Sequence, residues 1–177
     1  MCLFWKSGGG YCEYDLRDSN TFYGRSKALG ELDDDKNVTI RSSVVGPDQN
    51  QKGIGLLNWF LTQNREVNGY QQVLWTGQTT LQYAKTIEAV AKAKLHGIYH
   101  IVPNNSISKY DLLQLFNKYL CKNKITIRPK NTPISDKSLK RTRFDFNYHV
   151  PDYEEMVSQL AVWMRSHKEL YPHYHLE

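Results

Sequence analysis

The chain has 177 residues, 40% of them hydrophobic, which is enough for one ordinary domain with a buried core. Its 23 Lys and Arg outnumber 18 Asp and Glu, giving a formal net charge of +5, but cations and acids are interspersed, which speaks against a nucleic-acid surface. Three scattered cysteines (Cys2, Cys12, Cys121) exclude a disulfide framework and a Cys-x-x-Cys zinc site, and no apolar run nears the roughly 20 residues that a bilayer span needs. With no signal peptide visible, these features suggest a cytoplasmic protein with no membrane partner.

Residues 1–5 are an apolar run that breaks into Ser7-Gly8-Gly9-Gly10, the pattern of a strand entering a loop. Asp18-Ser19-Asn20-Thr21 offers N-caps for a helix over 22–32. After the polar stop Asp33-Asp34-Asp35-Lys36-Asn37, the β-branched run from Val38 to Val45 predicts one largely buried strand ending at Gly46-Pro47. Helical periodicity follows over 54–61, then a short strand at Val73-Leu74-Trp75-Thr76-Gly77. Thr79 or Thr80 caps a helix over 81–93, in which Leu81, Ala84, Ile87 and Ala91 recur at the three- and four-residue steps of a core-facing stripe.

Gly97-Ile98-Tyr99-His100-Ile101-Val102 reads as a further strand, and Ser108 caps a helix over 109–120. Ile125-Thr126-Ile127-Arg128-Pro129 is a strand confined to an edge by its proline. The last helix covers 153–167, with Met156, Leu160, Trp163 and Met164 on one side; Trp59 and Trp75 likewise read as core. His173 and His175 fall in a tail expected to be disordered, and Leu176-Glu177 read as residues added in cloning. Strands alternating with helices define an α/β protein, and no His/Glu/Asp constellation on a helix points to a metal.

Tyr23-Gly24-Arg25-Ser26-Lys27 sets a phenol and an ammonium four residues apart, on one face of the first helix. A cation beside a phenol favours the phenolate, which makes such a pair competent in proton transfer. With 12 Tyr and 15 Lys in the chain, about one such spacing arises by chance, so the flanking residues decide its meaning. Arg141 and Arg143, in the densest basic cluster, have the planar guanidinium that suits a nucleotide diphosphate.

The flanking block runs Tyr23-Gly24-Arg25-Ser26-Lys27-Ala28-Leu29-Gly30-Glu31 and is followed by Ile40-Arg41-Ser42-Ser43-Val44-Val45-Gly46-Pro47. Leu56-Leu57-Asn58-Trp59-Phe60, Gly97-Ile98-Tyr99-His100 and Ile107-Ser108-Lys109-Tyr110-Asp111-Leu112 come after it in order. This series resembles the extended short-chain dehydrogenase/reductases that act on nucleotide sugars, and within them the dTDP-4-dehydrorhamnose reductase branch. The resemblance implies the C-terminal part of a Rossmann-type fold. Residues 1–50 would be a residual Rossmann segment, and 51–175 mostly a substrate-binding subdomain with interleaved Rossmann elements.

It also implies an NAD(P)H-dependent 4-ketoreductase with NADP or NAD as cofactor and a nucleotide sugar as substrate. Tyr23 would protonate the sugar carbonyl, and Lys27 would hold the nicotinamide ribose. Ser43 and Val44 would line the nicotinamide side, and Ser42, Arg141 and Arg143 the substrate side. Rhamnose-forming members carry Trp where this chain has Val44, which leaves the sugar open.

Members of that family open with a strand, a Gly-x-x-Gly-x-x-Gly turn and a helix that receives the pyrophosphate. Here Gly8-Gly9-Gly10 has the wrong spacing and leads into the acidic Tyr11-Cys12-Glu13-Tyr14-Asp15, while the family's strand-end Ser/Thr aligns just before Met1. The resemblance thus implies a truncated and catalytically incomplete oxidoreductase. The alternative it implies is a non-catalytic module similar to the regulatory subunit of methionine adenosyltransferase. The strand at 38–45 is then expected to lack most of its partners, and such an edge invites a homo-oligomer or aggregation.

Overall fold

The computed structural model describes residues 8–174 and 176, so the strand read at 1–5, together with Ser7, His175 and Glu177, lies outside the described residues. Thr21 caps the first helix, α1 (Phe22–Leu29), its hydroxyl accepting the Gly24 N–H at 3.0 Å. The helix stops short of residue 32 because Leu32 is held elsewhere. Its N–H and C=O both bond the Thr39 hydroxyl, at 3.0 and 2.8 Å.

The run expected as one strand forms two, β1 (Val38–Arg41) and β2 (Ser43–Val45), broken at Ser42. Then come α2 (Leu56–Leu61), β3 (Glu66–Tyr70), β4 (Val73–Trp75), β5 (Gly77–Thr79), α3 (Thr80–Ala93), β6 (Gly97–His100) and β7 (Ile107–Ser108). The chain continues with α4 (Lys109–Leu120), β8 (Thr126–Lys130), β9 (Ser135–Asp136), α5 (Tyr153–Ser166) and a 3₁₀ turn at Lys168–Leu170.

The break at Ser42 lets one segment serve two neighbours. β1 pairs in parallel with β6, and β2 in parallel with β5, so the chain itself supplies a partner for each half. β4 lies between β7, antiparallel, and β9, parallel. β3 escapes sequence analysis because Glu66-Val67-Asn68-Gly69-Tyr70 holds one aliphatic residue. It forms because Val67 lies opposite Ile127 of β8, and both are buried. β8, with Pro129 opposite Gly69, has β3 as its one strand partner among the described residues, as its proline predicts.

The main core joins α4 (Leu112, Phe116, Leu120) to α5 (Val157, Leu160, Met164) over Leu57 and Phe60. Helix α3 turns its other face to the protein. Its buried residues are Gln82, Thr86 and Val90, whereas Ile87 is 48% exposed and Ala84 and Ala91 point outward. Paired polar groups make this arrangement stable. Gln78 donates to the Ile101 carbonyl at 2.6 Å and accepts from Thr86 at 2.7 Å, and Gln82 donates to the Tyr148 hydroxyl at 2.9 Å.

Two tryptophans read as core are substantially exposed, Trp59 at 41% and Trp163 at 37%; Trp163 stacks on His167 instead. The tail does not behave as a disordered end. The Tyr174 hydroxyl accepts from the Asp48 N–H at 2.9 Å and donates to Asn58 at 2.7 Å, and Leu176 joins the main core.

Helix α1 is fastened to β1 by a buried ion pair. Arg41 grips Glu31 through Nε at 2.7 Å and Nη2 at 2.8 Å, with side-chain exposures of 2% and 6%, and Arg17 adds a contact at 2.9 Å. Arg41 Nη1 also donates to the Glu13 carbonyl at 3.0 Å and lies 3.3 Å from His100 Nε2. His100 Nδ1 sits 3.0 Å from the Lys140 carbonyl and must donate to it, which leaves Nε2 as the acceptor. The Glu13 carboxylate accepts the backbone N–H of His100 and both donors of Thr142.

Burial lowers the His100 imidazole from its ordinary value, against the pull of Glu13, in keeping with the neutral ring that the Arg41 and Lys140 contacts require. Burial alone would raise Glu13 and Glu31. The hydrogen bonds from Thr142 and His100 to Glu13, and from Arg41 and Arg17 to Glu31, outweigh it and hold both carboxyls low.

Glu31→Gln leaves a buried guanidinium without its counter-charge and is expected to cost about 3 kcal/mol in urea unfolding, against under about 1 kcal/mol for Arg17→Ala on the exposed arm. The pH dependence follows from the same groups. Stability from neutral His100 is complete above its ordinary 6.5 and is lost as pH falls below it, because the unfolded chain takes up the proton first. Glu13 and Glu31 contribute stability above 4.5 that is lost below it. Thermal melts from neutral to acid pH should show both losses, and His100→Gln should abolish only the first.

Candidate active site

Helix α1 buries only Gly24 and leaves Tyr23 and Lys27 side by side on its open face. The Lys27 ammonium lies 5.5 Å from the centre of the Tyr23 ring. Both line a cavity of about 540 Å3 whose floor is the joint between β1 and β2, with Ser42, Ser43 and Val44. That volume lies within the range of small-molecule sites, about 300–1,000 Å3. Five of the seven site residues predicted from sequence therefore meet in one place.

Six further residues line the cavity beyond those predicted from sequence, Glu31, Arg41 and Trp75 among them. Glu31 closes the Tyr-to-Glu block, so its spacing was visible; its pairing with Arg41 was not. The lining cations Lys27 and Arg41 outnumber the one anion, Glu31, whose charge Arg41 and Arg17 already balance. An anionic ligand therefore meets no uncompensated carboxylate here. A second cavity of about 360 Å3 shares Val44 and Trp75 with the first and continues past Gly46 to Thr80 and Lys109, the first residues of α3 and α4.

Arg141 and Arg143 lie outside both cavities. The Arg141 guanidinium donates to the carbonyls of Arg143 at 2.8 Å, Tyr148 at 2.6 Å and Phe146, and so ties the 141–148 loop together. It borders a separate cavity of about 460 Å3. Arg143 stacks 3.7 Å from the Tyr99 ring, donates to its hydroxyl at 2.6 Å and to Asp145 at 2.8 Å, and holds the Asp145 carboxyl at about 2.

The glycine run is a joint between chain segments. Gly9 and Gly10 adopt φ of +65° and +64°, and a Cβ on Gly9 would meet the Asp136 carboxylate at 2.1 Å. Gly10 N–H already donates to Ser138. Among the described residues there is no cluster of three or more metal-binding side chains, and no helix long and apolar enough to cross a membrane.

Parallel strands linked through helices, with the Tyr23–Lys27 helix fastened beside them, define a mixed α/β fold that matches the Rossmann-like short-chain dehydrogenase/reductases. The dTDP-4-dehydrorhamnose reductase of Bacillus anthracis, crystallised with NADP, superposes with a TM-score of 0.74 at 18% identity, over 92% of this chain and 62% of its own. The dTDP-4-dehydrorhamnose reductase of Yersinia enterocolitica gives 0.67 at 15% identity, over 88% and 61%. The dTDP-glucose 4,6-dehydratase of Bacillus anthracis, in complex with NAD, gives 0.63 at 16% identity, over 93% and 58%. The chain thus spans about 60% of the length of the structures it matches. At these identities the likeness establishes the fold. No protein-family model matches the sequence, and no curated protein is detectably similar to it.

Proposed function

We propose that this chain supplies the proton-donating and sugar-nucleotide-binding side of an NAD(P)H-dependent nucleotide-sugar 4-ketoreductase. The observation that carries the reading is the meeting of Tyr23, Lys27, Ser42, Ser43 and Val44 in one cavity. The donor set suits a nicotinamide nucleotide: an ammonium for ribose hydroxyls, a phenol beside it, and two serines on the opposite wall. When bound, that cofactor supplies the hydride. Tyr23 holds a proton at its Oη and delivers it to the sugar carbonyl oxygen, which becomes the new hydroxyl. Lys27 stabilises the phenolate left behind and orients the ribose. Arg41 and Glu31 keep α1 in register with β1, so that the phenol and the serine wall stay opposite each other.

Calorimetric titration of the protein with dTDP-glucose and with NADPH tests the binding side; heat with neither overturns the reading. In a turnover assay of NADPH oxidation on a 4-keto nucleotide sugar, run on a longer protein that joins this chain to a glycine-rich cofactor-binding half, Tyr23→Phe should lower kcat by about 10²–10⁴-fold with sugar-nucleotide affinity nearly unchanged. An inert longer protein, or equal rates with Tyr23 and with Phe, would remove Tyr23 from the chemistry.

A further inference from the structure

We propose that Trp75 is the specificity wall of this site, a stacking surface over which one nucleotide sugar spans both cavities. The inference rests on the reading above and adds how the substrate is selected. Trp75 and Val44 are the residues the two cavities share. The indole leaves β4 and crosses Gly77 of β5, where an added Cβ would lie 2.3 Å from its Cζ2, and so reaches the β2 residues of the Tyr23 cavity. Only a glycine at 77 leaves room for it.

The base of Trp75 is fixed. Its backbone is paired with Ile107 of β7, its carbonyl accepts the Tyr153 hydroxyl at 3.4 Å, and its ring centre lies 5.9 Å from that of Tyr153. A held, part-buried indole in a cavity wall offers a flat apolar face at little conformational cost. Proton donation is possible only beside Tyr23, so the sugar occupies the first cavity. The rest of the ligand then runs over the indole into the second, whose lining holds the cation Lys109 and no carboxylate. A diphosphate fits that end. A residue that merely filled the core would alter stability without altering the choice of ligand.

The test is titration with dTDP-glucose, dTDP and glucose, following tryptophan fluorescence and heat. Wild type should bind dTDP-glucose at least about tenfold more tightly than dTDP, Trp75→Leu should lose that advantage, and Trp75→Phe should keep most of it. The fluorescence change on binding should vanish in Trp75→Phe and persist in Trp59→Phe, because Trp59 lines neither cavity. Trp75→Phe, which keeps an aromatic ring against Tyr153, decides the matter by its fluorescence if Trp75→Leu fails to fold.

An undiminished dTDP-glucose advantage in Trp75→Leu, or a surviving fluorescence change in Trp75→Phe, overturns the role of Trp75 and leaves the proposed function standing. Failure of wild type to bind dTDP-glucose overturns the role of Trp75, and failure to bind NADPH as well overturns the proposed function.

Discussion

The bidentate pair between Glu31 and Arg41 is the constraint on which the site depends. Helix α1 has eight residues, buries only Gly24, exposes Phe22 and Leu29 almost fully and offers the core little beyond Ala28, so apolar packing does little to set its position. A planar guanidinium held through two nitrogens fixes both distance and angle. Arg41 also reaches Glu13 and His100, so one side chain ties α1, β1, β6 and the segment after the glycine run into a unit. Two desolvated charges add little net stability; what they contribute here is placement.

The second constraint is the break at Ser42. A continuous strand at 38–45 would have kept one set of neighbours along its length. Divided, it pairs with β6 on one side of the break and β5 on the other, and Ser42, Ser43 and Val44 at the joint line the cavity with Tyr23 and Lys27. The cavity occurs where the pairing changes, the kind of position at which α/β sheets commonly open a crevice for ligands. Trp75 then enters the wall from a different sheet, and with Val44 it lines both this cavity and the adjoining one.

Much of this was legible in the residues. The caps at Thr21, Thr79 and Ser108 lie where the sequence puts them, because capping is a local hydrogen bond between a hydroxyl and an N–H three residues on. The meeting of Tyr23 and Lys27 is also local, a consequence of helical spacing. Other features resisted the same reasoning. The outward stripe of α3 has ordinary apolar periodicity, yet Gln82 and Thr86 are buried because Tyr148, more than 60 residues on, and Gln78 of β5 satisfy them. Arg141 and Arg143 carry the right chemistry for phosphate, but nearby carbonyls and Tyr99 already engage them.

By itself, the sequence determined the α/β alternation, the capped helices and the phenol–ammonium pair. All of these rest on contacts within a few residues. Only the tertiary structure decided where the pair points, which face of α3 is buried, that Arg41 fastens Glu31, and that Trp75 stands in the wall beside Val44. Those outcomes depend on which distant groups compete for each donor, acceptor and apolar face, and burial makes such choices costly to leave unmatched.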